Sequence, residues 1–142
     1  MTTTAAIVAP GIKRVRARAL CAAGGALAAV LTWIAEVPLL GIHLNFRFGA
    51  GHIQTISAGQ VIGAAAAASL LGWLLLALME RRTPNARPLW IGISLTALAA
   101  SLALPLAAAA TTAATAGLIV MHLAVGAVVI PAMAYTLGPR KH

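Results

Sequence analysis

Few side chains in this sequence can do chemistry, and those few gather in two apolar runs and one loop. Glu36 stands in "LTWIAEVPLL", between Leu31 and Leu40, and is one of only two acidic residues in the chain. His122 stands in an equally apolar run, "IVMHLAVG", and Ser101 opens "SLALPL". Gln60 follows Ser57 by three residues. The segment "GIHLNFRFGAGHIQTIS", from Gly41 to Ser57, adds His43, Arg47 and His52. A carboxylate and an imidazole can share a hydrogen bond, pass a proton or ligate a cation.

Three readings compete for Glu36. The first is interhelical glue, with Glu36, His122 and Ser101 hydrogen-bonding to fix helix packing. The second is a small pocket for a proton, an ion or a small ligand, the default meaning of an ionisable group inside a span. The third is a metal site using Glu36, His122 and a loop histidine. No close ligand pair such as HxxxH supports the third, so no metal and no cofactor is expected. Buried in this way, the carboxyl is either matched by His122 or held neutral, because desolvation disfavours the charged form. Gln60 reads first as the partner of Ser57 in a capping box. His43, Arg47 and His52 read as exposed loop residues.

Catalytic signatures are missing. The sequence contains no Asp, which removes a Ser-His-Asp arrangement, and its two glutamates, Glu36 and Glu80, are expected on opposite sides of the membrane, which removes a paired carboxylate. It has no phosphate-binding glycine loop and no dinucleotide fingerprint. Nothing recommends an enzyme.

The elements that position these residues follow from composition. Hydrophobic residues make up 61% of the 142 and charged residues 8%. A soluble domain carries about 25% charged residues, so this chain has too few to cover a surface in water. Four runs are long enough to cross a bilayer, which takes about 20 residues: Ala17–Leu40, Ala58–Met79, Leu89–Ala110 and Ala114–Leu137. Backbone groups in hydrocarbon must bond internally, which makes these runs helices. The first run exceeds a signal-peptide core of about 7–15 residues, so it is read as an uncleaved span. Its lone Cys21 can form no intrachain disulfide and reads as a packing residue.

The net charge of +8 would suggest nucleic acid in a soluble protein. Here the basic residues cluster between apolar runs, aromatic residues are sparse, and no nucleic-acid partner is expected. Lys13, Arg14, Arg16 and Arg18 precede the first span. Arg81, Arg82 and Arg87 lie between the second and third, and Arg140 and Lys141 follow the fourth. The opposite side has Arg47 alone. The positive-inside rule then predicts cytoplasmic termini: a flexible basic tail over residues 1–16, a membrane domain over 17–137 and a basic tail over 138–142. Glu80 beside Arg81 and Arg82 reads as a solvated charge cluster. Pro84 and Pro88 separate the second and third spans, and Trp90 reads as an interfacial anchor.

In the first outer loop Ile42, Leu44, Phe46 and Phe48 alternate with His43, Asn45 and Arg47, a strand-like period of two, and "GAG" then offers a turn. A short hairpin or an extended strip is expected. Small residues mark the expected packing faces: Ala22, Gly25, Ala29 and Thr32 leading to Glu36; Gly59, Gly63 and Ala67; Ser94, Ala97, Ser101 and Pro105; His122 with Gly126. Pro105 removes a backbone donor and predicts a kink.

The runs "LLGWLLLALMERRTPNARPLW", "SLALPL" and "MHLAVGAVVIPAMAYTL" resemble a group of small, uncharacterised four-helix membrane proteins of high-GC Gram-positive bacteria. The match covers the second to fourth spans. Its pattern repeats the proline and the histidine that are Pro105 and His122 here. The resemblance implies a four-span bundle in a plasma membrane and supplies no activity.

The sequence therefore predicts an all-α, four-helix transmembrane bundle with antiparallel neighbours. The leading function is a small non-enzymatic accessory or structural protein whose partners are the lipid bilayer and a further protein or a second copy. The runner-up is a small transporter or binding protein with an outer-leaflet site at Glu36 and His122; a membrane enzyme ranks third.

Overall fold

The computed structural model describes residues 10–48 and 52–137. The described residues are mostly helical with one small hairpin, and four helical segments among them are long and apolar enough to cross a membrane. The first comprises α1, Pro10–Ile34, and a π-helical continuation, Ala35–Leu39. The strands β1, Asn45–Phe48, and β2, His52–Thr55, follow. The second segment is α2, Ala58–Arg82. The third is interrupted and comprises α3, Ala86–Ser101, and α4, Ala103–Ala108. The fourth is α5, Thr112–Tyr135.

Helix α1 begins at Pro10, earlier than the predicted start at Ala17, so Lys13, Arg14 and Arg16 ride on helix rather than in a tail. Pro10 suits such a start, since its missing N–H would be unpaired in the first turn anyway. The tails at 1–9 and 138–142, with Arg140 and Lys141, and the expected turn at 49–51 lie outside the described residues.

Caps and prolines set the other boundaries. The Ser57 hydroxyl accepts from the Gln60 backbone N–H at 3.4 Å, and the Ser57 N–H donates to Gln60 Oε1 at 2.9 Å. That reciprocal pair is the predicted capping box and starts α2. Thr83 is extended, as a residue before proline must be, and α2 stops there. Thr111 caps α5 through its hydroxyl at 3.1 Å from the Ala114 N–H. The predicted break near Pro105 takes the form of a helical interruption at Leu102, with the chain resuming as α4.

Every buried face can be traced to side-chain size. On α1 the buried stripe is Arg18, Gly25, Ala29 and Glu36, spacings that recur on one face of a helix. Gly25 lets three helices meet: a methyl there would lie 2.5 Å from Val129 Cγ2 of α5 and 2.9 Å from Ser69 Oγ of α2. On α2 the packed face is Val61, Ala65, Ser69, Leu76 and Met79. Gly59, Gly63 and Ala67 are exposed, contrary to the expectation from their GxxxG spacing. The larger residues of α2 fill the space against α1 and α5, and the glycine stripe faces outward. On the third span Leu98, not Ala97, carries the contact, and Gly126 of α5 makes room for it.

Trp90 is buried at 3% exposure rather than anchored at an interface. Its indole N–H donates to the Ile130 carbonyl at 3.0 Å, and its ring lies over Gly72, where a methyl would stand 3.1 Å from Cη2. A buried indole needs such an acceptor. Around it Leu76, Met79, Val129 and Met133 form one core cluster, with Cys21 and Trp73 packed against it. A second cluster sits toward the hairpin and comprises Ala29, Leu44, Val61, Ala65, Leu118 and Met121.

Candidate functional site

The hairpin closes one end of the bundle. Strands β1 and β2 pair antiparallel, with Asn45 opposite Thr55 and Phe48 opposite His52. As the period of two predicted, Leu44 points inward and is fully buried while His43 and Arg47 are exposed. Three further bonds hold the hairpin, one to the link between α4 and α5, one between its own two arms and one to α1. The Ala110 N–H donates to the Asn45 carbonyl at 2.9 Å, the Ile56 N–H to the Leu44 carbonyl at 3.0 Å, and the Trp33 indole to the Ile56 carbonyl at 3.2 Å. His52 is exposed as well, so the three loop candidates are all on the surface.

Glu36 lies beneath this hairpin. Pro38 cannot donate, and the helix widens to a π-turn over Ala35–Leu39, in which the Leu40 N–H reaches back to the Ala35 carbonyl at 3.1 Å. Glu36 is 5% exposed. Neither carboxylate oxygen has a hydrogen-bond partner among the described residues. It is pressed against α5 at Gly117: a methyl there would lie 3.2 Å from Glu36 Oε2 and 2.9 Å from Leu44 Cδ2. Glycine is what lets the carboxyl group sit against the helix backbone.

Glu36 is among the residues lining a cleft of about 510 Å³ between α1 and α5, with its two carboxyl oxygens covered just behind the cleft surface. Its lining includes Leu31, Thr32, Ala35 and Leu40 from the first span and its continuation, and Ala116, Gly117 and Val120 from α5. Leu31, Leu40 and Val120 are more than half exposed, so the cleft opens onto the flank of the bundle. The Thr32 hydroxyl already donates to the Ala28 carbonyl at 2.8 Å. Glu36 is thus the one charged group on an apolar wall.

The other sequence candidates are not gathered around it. His122 Nδ1 is 2.6 Å from the Leu118 carbonyl of its own helix. The Ser101 hydroxyl donates to the Leu98 carbonyl at 2.7 Å. Gln60 is engaged in the cap of α2. Depth along the bundle suggests a Glu36–His122 pair, but direction does not: Gly117 faces Glu36, and five residues along a helix turn the chain by about 140° from that direction. No group of three or more His, Cys, Asp or Glu able to hold a metal occurs among the described residues.

The opposite end holds a second polar site that sequence reading missed. Arg18, 5% exposed, donates from Nη2 to Glu80 Oε2 at 2.7 Å and from Nε to the Thr136 hydroxyl at 3.0 Å. Arg14 lies 3.8 Å from the other Glu80 oxygen. Glu80 therefore ties α1 to α2, and through Arg18 to the end of α5, rather than sitting in solvent with Arg81 and Arg82. The available signal was the position of Arg18, seven residues before Gly25 on the small-residue stripe. Arg87 stacks over the Tyr135 ring at 5.7 Å and adds a contact between α3 and α5.

Residues 5–139 match the model of a family of unknown function, DUF6069. No curated protein and no solved structure matches the chain.

Proposed function

The chain belongs to the DUF6069 family of unknown function, and from that premise we propose that it is a small non-enzymatic protein of the plasma membrane, with both termini cytoplasmic, that serves as an accessory component of a larger membrane assembly. Lys13, Arg14, Arg16, Arg18, Arg81, Arg82 and Arg87 share one end of the bundle, and Arg47 belongs to the hairpin end. The positive-inside rule assigns the first end to the cytoplasm.

The observation that carries the accessory reading is the open lateral surface. In an apolar 18-residue stretch of each span only a minor share of residues is buried, from 11% in the third to 28% in the fourth. On α2 the exposed face carries Gly59 and Gly63, where a methyl would meet nothing within 4 Å of Gly63. Such a face lets another helix approach closely in lipid. The test is purification from native membranes in lipid particles without detergent. The wild type is expected to run as a stoichiometric complex with another protein or a second copy, and Gly63→Leu to release it. A wild type that runs as a lone monomer contradicts the reading.

A second reading has its own observation. The unpartnered Glu36 carboxyl beside an open cleft supports a binding site in the outer half of the bundle. Carbodiimide labelling of Glu36, protected by a ligand and lost in Glu36→Gln, tests it; labelling that no ligand slows counts against it.

A further inference from the structure

We propose that the Glu36 cleft binds a lipophilic monocation, a protonated amine with an apolar body, that enters from the bilayer; this rests on the reading of Glu36 as a binding residue and names its ligand class.

Three features fix the class. The first is charge. Both Glu36 oxygens are buried and have no partner among the described residues, and a buried carboxylate lacks compensation until a cation or donor meets it. Arg18, the buried arginine, is committed at the far end of α1 to Glu80 and Thr136. With the Glu36 side chain turned toward the cleft that its residue lines, an ammonium N–H satisfies the carboxylate by a charge-assisted hydrogen bond.

The second is coordination. Calcium takes about 6–8 oxygen ligands and magnesium demands an octahedron. The cleft supplies one carboxylate and one hydroxyl, Thr32, which is already bonded to its own helix. An inorganic cation would leave most of its shell empty here, whereas an alkylammonium needs one strong acceptor and an apolar wall.

The third is shape. The cleft volume of about 510 Å³ lies within the range of about 300–1,000 Å³ typical of small-molecule sites. Leu31, Leu40 and Val120 form its exposed rim, Leu31 and Val120 within segments long and apolar enough to cross a membrane and Leu40 just past the end of the first. An amphiphile already dissolved in lipid reaches that rim without crossing the hairpin. Gly117 keeps the floor of the cleft low enough for the carboxyl group to remain there.

The experiment uses the full chain in phosphatidylcholine vesicles and follows modification of Glu36 by dicyclohexylcarbodiimide, with N,N-dimethyloctylamine as the probe. The amine is expected to slow modification at least tenfold, and octanol, sodium and calcium to leave it unchanged. Val120→Trp, which fills the cleft and keeps the carboxyl, is expected to abolish the protection. Protection by sodium or calcium but not by the amine overturns the ligand class and keeps a Glu36 site. Equal protection by octanol overturns recognition of charge. Protection by none overturns the ligand class and the site together. Saturation-transfer NMR of the amine is the second readout. Binding at least tenfold weaker to both Glu36→Gln and Val120→Trp supports the proposal, and equal binding to wild type and both variants overturns it.

Discussion

Glu36 and Glu80, the two acids of the chain, have opposite circumstances. Glu80 is held by Arg18 at 2.7 Å with Arg14 nearby, while Glu36 has no partner among the described residues. Removing one member of a buried pair costs several kcal/mol, but Glu80 keeps 24% side-chain exposure, which softens the penalty. Arg18→Met is therefore expected to destabilise the bundle by about 1–3 kcal/mol, read as a lower unfolding midpoint in mild detergent. The loss should shrink in a Glu80→Gln background, because no charge is then left unpaired; equal loss in both backgrounds would deny the coupling. Gly117→Ala places a methyl 2.9 Å from Leu44 Cδ2 and 3.2 Å from Glu36 Oε2. Overpacking of that kind costs about 1–3 kcal/mol, whereas Gly63→Ala, in open space, should be neutral or mildly stabilising. A measurement that ranked the two the other way would contradict the packing described. The burial of Glu36 was legible in the sequence from its place on the Gly25–Ala29 stripe. Its missing partner was not. Depth along the membrane can be counted from sequence, but the direction in which His122 points depends on which side of α5 meets α1.

Among the elements, the hairpin was the most readable, because alternation of apolar and polar residues states which side faces the bundle. Leu44 makes that side matter. It is fully buried between the strands and the second core cluster, and Leu44→Ala is expected to cost about 2–4 kcal/mol. Trp33→Phe removes the bond to the Ile56 carbonyl and part of the ring packed against the second core cluster, and is expected to cost about 1–2 kcal/mol. Hydrogen exchange of the β1 and β2 amides checks both: protection should fall strongly in the first variant and slightly in the second. Unchanged protection in Leu44→Ala would mean that the hairpin is held by its strand pairing alone. The helix faces were less readable. Small-residue spacing marked Gly25 correctly but also marked Gly59 and Gly63, which face outward. In a chain this rich in Ala and Gly, small residues occur on every face, and the large residues Leu76, Met79 and Trp90 decide which face packs. The same reason misplaced Trp90: an aromatic near a helix start suits an interface, but Gly72 leaves a slot that draws the ring inward.

At the scale of the whole molecule, polarity is divided between two ends. One end carries the basic cluster and the Arg18–Glu80–Thr136 tie, and the other carries the hairpin over Glu36. Four apolar spans join them, and composition alone required lipid as their solvent. The direct test is thiol labelling in intact cells, with Cys21 replaced by Ala and a single cysteine placed at Arg47 or at Arg82. A membrane-impermeant maleimide is predicted to label Arg47→Cys in intact cells and Arg82→Cys only after the membrane is opened. Labelling of Arg82→Cys from outside, with Arg47→Cys protected until lysis, would contradict the account.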